Sequence, residues 1–194
     1  MTRWARFAAA AAILSVLPGA GRASLGLDTI YLVRHAEKMD GWPEAEERLR
    51  PLSREGTRRA EALARGPLAG EGIVAVYTSR TTRTMATGLP LARRAGVPLT
   101  VSDASADDDA MEGFLKEIRR RHAGPGAVLI VGHSDTVPAL LRRLGADRRC
   151  FDRLGILEIE GHLRLEGYDG LWRVDLAGEG CGRITRRSQK KGSG

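Results

Sequence analysis

Cysteine is scarce in this chain of 194 residues, with two copies, aromatic residues make up only 5% of it, and histidine occurs four times. Each scarcity removes a class of explanation. Two distant thiols, Cys150 and Cys181, and scattered histidines do not supply the ligand set of a structural zinc site. The few aromatics are nowhere interleaved with basic residues as a nucleic-acid surface would require. The apolar run from Phe7 to Leu17 is too short for a stable membrane span, and no second run of membrane length follows it. No internal repeat and no linker divides the remainder, which favours one domain large enough to bury a sizeable core.

The first residues have the layout of an export signal. Arg3 and Arg6 precede the apolar run, Pro18-Gly19 breaks it, and Gly21-Arg22-Ala23 offers a small-residue cleavage site. Residues 1–23 are therefore expected to be a signal peptide cleaved after Ala23, with an uncleaved anchor as the alternative and a periplasmic or secreted location as the consequence. Without them the formal charge falls from +7 to +4 over 171 residues. A mildly basic protein of this kind suits a small anionic partner better than nucleic acid. The basic stretch from Arg186 to Lys191 reads as solvated, and residues 188–194 as a disordered tail after a domain spanning 24–187. An oxidising compartment permits Cys150 and Cys181 to pair, and 30 residues lie between them. Nothing in the sequence speaks to oligomeric state.

Three apolar runs are the strongest signals in the chain. Ile30-Tyr31-Leu32-Val33, Ile73-Val74-Ala75-Val76-Tyr77 and Ala127-Val128-Leu129-Ile130-Val131 each suit a strand buried on both faces. Between them, Ser53 can cap a helix that Gly66-Pro67 ends, a second helix follows residue 78, and a third spans about 110–122. A fourth runs from Thr136 to Leu144, with Pro138 tolerated in its first turn. Residues 96–101 form a short strand at a sheet edge, because Pro98 cannot donate to a ladder. Residues 39–50 read as a loop over the strand ends, and strands around 171–176 and 182–185 complete the chain. The expectation is an α/β protein, a three-layer sandwich whose mostly parallel central sheet carries helices on both faces.

Each of the three buried strands runs out into residues able to do chemistry: Arg34-His35-Ala36-Glu37, then Ser79 with Arg83 four residues on, then Gly132-His133-Ser134-Asp135. Ligands of such sheets bind beyond the carboxyl ends of the strands, so these groups should share one rim. The three elements in order resemble the histidine phosphatase superfamily, the relatives of cofactor-dependent phosphoglycerate mutase, from about Ile30 to Thr185. The resemblance implies a metal-independent phosphatase with no cofactor, in which His35 is the nucleophile and forms a phosphohistidine that water hydrolyses.

The residue types fit that chemistry. A phosphate monoester is a dianion, and fixed positive charge must meet its oxygens before a nucleophile can approach. Arg34 and Arg83 supply planar donor forks, and His133 adds a donor if protonated. The second ring nitrogen of His35 is expected to donate to a backbone carbonyl and so fix the tautomer. Glu37 and Ser134 are further candidates for substrate contact. Asp135 is the candidate donor of a proton to the leaving group, with Glu112 as the alternative; Asp135 also suits an N-cap for the helix beginning at Thr136. Arg80 reads as a surface residue, and His122 and His162 as surface or packed histidines. The chain is short for the insertion that closes over a mutase substrate, which favours hydrolysis over phosphoryl transfer. Two other readings stand beside it: a phosphate-binding or regulatory module without turnover, and phosphoryl transfer, either as a mutase or as a protein-phosphohistidine phosphatase.

Overall fold

The computed structural model describes residues 26–189, so the expected leader and the last five residues lie outside the described part. Six strands form the central sheet: β1 (Thr29–Arg34), β2 (Ile73–Thr78), β3 (Leu99–Val101), β4 (Ala127–Gly132), β7 (Gly170–Asp175) and β8 (Ile184–Ser188), in the order β3-β2-β4-β1-β7-β8. The first four in that order are mutually parallel, and β7 pairs antiparallel with both β1 and β8. β3 does lie at the edge, where Pro98 contributes only its carbonyl, to the amide of Val76.

Alternation along the central strands sorts side chains into two cores. Ile30, Leu32, Val128 and Ile130 pack with the apolar faces of α3 (Met111–Arg121) and α4 (Thr136–Arg143) and with Phe151 and Leu154 of the short α5 (Phe151–Leu154). Tyr31, Val33, Leu129 and Val131 point the other way, against Leu63 and Ala64 of α1 (Arg54–Arg65) and Leu91 and Ala92 of α2 (Thr82–Ala95). The result is the three-layer arrangement expected, with a helical layer on each face. Ser53 caps α1 by accepting from the amide of Gly56.

The C-terminal third departs from the sequence reading in two places. A separate hairpin, β5 (Ile156–Ile159) with β6 (His162–Leu165), lies outside the main sheet. Its two-residue turn is Glu160-Gly161, both at positive φ, the geometry that matches the twist of a tight hairpin. The second departure is at the start of the tail expected to be disordered; the side chains of Arg186 and Arg187 just before it are solvent-exposed as expected, but the backbone is paired. Arg186, Arg187 and Ser188 belong to β8, and Gln189 is buried with its side chain donating to the carbonyl of Gly170. An edge strand uses its backbone for pairing and tolerates charged side chains, so Arg186-Arg187 did not forbid it. Cys150 and Cys181 form a disulfide with Cα atoms 6.1 Å apart, tying the segment before α5 to the turn before β8. Among the described residues, no helix is long and apolar enough to cross a membrane.

Candidate active site

Register brings the three motifs together. Arg34 is paired with Gly132 and Thr78 with Val131, so β1, β2 and β4 end at one level and the next residues of each strand emerge side by side. The amide of His35 then donates to the carbonyl of Gly132 at 2.9 Å, and the rings of His35 and His133 lie 5.4 Å apart. A Cβ on Gly132 would meet Thr136 Oγ1 at 2.8 Å, so a glycine is needed where β4 turns into α4. That same Thr136 hydroxyl accepts from the amide of His133. A pocket of about 290 Å³ opens at this rim, and Arg34, His35, Arg83, His133, Ser134 and Asp135 all line it.

His35 is buried, and its Nδ1 lies 2.8 Å from the carbonyl of Ala36, which can only accept. Nδ1 therefore carries the proton and Nε2 the lone pair. Burial pushes its pKa down to about 3, and the neighbouring His133, Arg83 and Arg34 act in the same direction, so the imidazole is neutral at pH 7. The pKa of His133 is likewise lowered to about 4, by burial first and then by Arg83. His133 is thus a neutral ring at pH 7, so the protonation on which its role as an added cationic donor depends is not met there. Its Nε2 is 2.9 Å from Ser79 Oγ, which in turn is 2.9 Å from Thr84 Oγ1. Ser79 thus holds His133 in place.

Both arginines are oriented by carbonyls. Arg34 donates through Nη1 to the carbonyl of Gly167 at 2.9 Å and stacks over the Tyr168 ring at 4.1 Å. Arg83, one turn into α2, donates through Nη1 to the carbonyl of Glu47 at 2.7 Å, with the Glu47 carboxylate 3.5 Å away. In each arginine Nε is buried without a hydrogen-bond partner among the described residues. Glu47 also pairs with Lys38 and Arg50, and its contact with Lys38 is the main reason its pKa is lowered.

Two sequence candidates are not brought to the pocket. Glu37 instead makes a two-pronged ion pair with Arg59 of α1, its Oε1 2.5 Å from Nη2, and both side chains are largely buried. Its carboxylate fixes the segment after β1 onto α1. Glu112 sits in the first turn of α3, paired with Lys116 at 3.4 Å on an exposed face and absent from the pocket wall. Asp135 does reach the pocket. Its Oδ1 accepts from the Thr136 amide, as a helix cap does, and its Oδ2 is 3.3 Å from Arg164 Nη1. Arg80 is an exposed residue paired with Asp103, His122 packs against the Tyr77 hydroxyl at 2.8 Å, and His162 is exposed on the β5–β6 hairpin.

Sequence reasoning missed Tyr168 and Glu47, whereas Lys38, which the sequence leaves open between a solvated pair with Glu37 and ligand contact, lines the pocket. Tyr168 lies in the turn between β6 and β7, its ring centroid 5.8 Å from that of His35. Glu47 lies in a 3-10 turn, Glu44–Leu49, inside what reads as a plain loop. Only an aromatic next to glycine and a run of acids marked these segments.

Residues 30–107 match the family model of the histidine phosphatase superfamily (branch 1), a stretch that contains Arg34, His35 and Arg83 and stops before His133. With the fold described above, this match makes the chain similar to that superfamily, and the fold is phosphoglycerate mutase-like. Solved structures share that fold. SixA from Agrobacterium tumefaciens, a candidate phosphohistidine phosphatase, is 18% identical at a TM-score of 0.61, covering 82% of this chain and 94% of its own. A protein histidine phosphatase SixA complexed with tungstate is 17% identical at 0.58, with the same two coverages. A mycobacterial glucosyl-3-phosphoglycerate phosphatase is 14% identical at 0.60, covering 83% of this chain and 96% of its own. No curated protein matches the chain in sequence.

Proposed function

We propose that the protein is an exported phosphomonoesterase that works through a phosphohistidine on His35. The observation that carries this reading is the convergence of Arg34 and Arg83 on one pocket that also holds a neutral imidazole with its tautomer pinned. Two guanidinium forks beside a neutral nucleophile suit a tetrahedral dianion, whose nonbridging oxygens they can neutralise. The His35 Nε2 lone pair attacks phosphorus, and the P–O bond to the alcohol breaks. The departing oxygen takes a proton from Asp135. Water then attacks the phosphohistidine, returning the lone pair to Nε2 and its proton to Asp135, and releases inorganic phosphate. Arg34 and Arg83 neutralise the nonbridging oxygens throughout, which is the charge a metal ion would otherwise have to supply.

Export rests on the arrangement of Arg3, Arg6, the apolar run and Gly21-Arg22-Ala23. Among the structural neighbours, the glucosyl-3-phosphoglycerate phosphatase supports hydrolysis of a small phosphorylated substrate, while the SixA phosphohistidine phosphatase supports phosphatase chemistry in general. Rapid quench of the protein with ³²P-labelled p-nitrophenyl phosphate should trap a label that is acid-labile and alkali-stable, and His35→Ala should abolish it. A fully active His35→Ala protein overturns the mechanism. Phosphate binding without turnover on sugar phosphates, nucleotides or phospholipid head groups would favour the binding module instead. Phosphate passed from the labelled protein to an acceptor rather than to water would favour a transferase.

A further inference from the structure

A second, larger cleft of about 410 Å³ adjoins the phosphate pocket, and the two share Ala106, Asp135 and Thr136 as walls. One side of it is α4 and the residue before it. Asp135, Ala139 and Arg142 are spaced four and three apart, so they lie along one face and all line the cleft. Arg142 stands roughly 10 Å down the helix axis from Asp135, at 1.5 Å per residue. The other side is the β5–β6 hairpin, which contributes His162 and Arg164. The hairpin is joined to the catalytic rim, since the amide of Leu165 donates to the carbonyl of Ser134 at 2.8 Å.

Charge along this cleft is uneven. At the end nearest the pocket Asp135 meets Arg164 at 3.3 Å, while Asp108 is taken by Arg143, the neighbour of Arg142 at the other end of α4, at 2.9 Å. Arg142, at the far end, makes no ion pair with any described residue, leaving one guanidinium uncompensated. The cleft volume suits a small organic group. We propose that this cleft receives the leaving group of the phosphoester and that Arg142 pairs with a second anionic group carried on it. The substrate is then a phosphomonoester whose leaving group carries a second anionic group, a carboxylate or another phosphate, into the cleft. The proposal rests on the phosphomonoesterase reading, which puts the reacting phosphate between Arg34 and Arg83.

Steady-state kinetics of the full chain on two near-isosteric esters test it: 4-carboxyphenyl phosphate and its neutral counterpart 4-carbamoylphenyl phosphate. The native protein should favour the carboxylate at least five-fold in kcat/KM, and Arg142→Gln should bring that ratio close to one, chiefly through KM. Arg119→Gln, which removes a charge from α3 far from the cleft wall, should leave the ratio unchanged. Hydroquinone bisphosphate gives the phosphate arm, and the ester whose kcat/KM falls further in Arg142→Gln identifies the group Arg142 takes. Equal turnover of the two monophosphates by the native protein, or a preference that survives Arg142→Gln, overturns the proposal. If neither ester is turned over, the phosphatase reading fails by itself. Calorimetric titration with the same esters then decides the cleft: a five-fold affinity preference lost in Arg142→Gln supports it, and equal affinities refute it.

Discussion

His35 and His133 share a pocket yet are restrained in different ways, and the difference suits different tasks. His35 is held by a carbonyl that can only accept, which leaves its Nε2 unprotonated. His133 is held by a hydroxyl, which can donate or accept, so its ring can change tautomer as charge develops. Asp135, two residues on, is tied by one oxygen to the helix it caps and by the other to Arg164, while lining the pocket itself. A capping role and a proton-donating role make separate demands. If Asp135 donates, Asp135→Asn should slow hydrolysis of an alkyl phosphate by about 10²-fold or more, the usual worth of a positioned general acid. Hydrolysis of p-nitrophenyl phosphate, whose leaving group needs little protonation, should then change only a few-fold. Equal losses on both esters would leave Asp135 as a cap. Glu112→Gln should affect neither, because its carboxylate is spent on Lys116 at an exposed surface.

The element that positions His35 is the segment after β1, and it is seated on α1 through an unusually close approach. A Cβ built on Gly56 would lie 2.1 Å from the carbonyl oxygen of Glu37, with further Glu37 backbone atoms at 3.0 Å. Exchange of a helical glycine for alanine ordinarily stabilises by about 1 kcal/mol. Here the sign should reverse. The obstruction is backbone that also accepts from the Ser53 amide, so Gly56→Ala must push the Ala36–Lys38 segment away from α1. Overpacking of this kind costs about 1–3 kcal/mol, and the displaced His35 should lower kcat as well. Urea denaturation together with kcat on p-nitrophenyl phosphate measures both effects, and a stabilised, fully active variant would refute the argument. The elements differ in how much of themselves the sequence disclosed. Arg34, His35, Arg83 and His133 were legible because each follows or flanks an uninterrupted apolar strand, and parallel register then aligns the strand ends. Glu37 was misread because a carboxylate beside Arg-His looks like a ligand. Its partner, Arg59, is one of several arginines on α1, and only packing singles it out as the buried one. Tyr168 and Glu47 come from turns whose placement depends on the hairpin and the helices around them, which no local pattern encodes. The β5–β6 hairpin was missed because two four-residue strands carry too few alternations to stand out.

At the scale of the whole molecule, two covalent or ionic features set how stability should respond to conditions. The Cys150–Cys181 bridge closes a loop of about 30 residues, which by the chain-entropy estimate is worth roughly 3–4 kcal/mol. Protein recovered from an oxidising compartment should therefore show no reactive thiol when denatured without reductant, and Cys150→Ser/Cys181→Ser should melt at lower temperature while retaining kcat. Two free thiols would remove the bridge from the account. The acid response is governed by the two pocket histidines. His35 and His133 have pKa values lowered to about 3 and about 4, principally by burial, against 6.5 in an unfolded chain. Between pH 6.5 and 4 the unfolded state thus binds protons that the native state does not, so stability must rise with pH across this window. Their neutral burial is fully tolerated above pH 6.5 and becomes steadily more costly as pH falls, at up to about 1.4 kcal/mol per pH unit for each histidine. Carboxylates held low by their partners, such as Glu47 through Lys38 and Asp169 through Ser188, lose their contributions only further down, below about pH 4 where unpaired carboxylates protonate. The histidines should therefore dominate the slope between pH 6.5 and 4.5. Urea midpoints measured across that interval should fall clearly for the native protein and much less for His35→Gln/His133→Gln, so that the variant becomes the more acid-resistant of the two. Parallel slopes would mean that the two imidazoles are not buried neutral in the folded protein, and the proposal that His35 is the nucleophile would fall with that result.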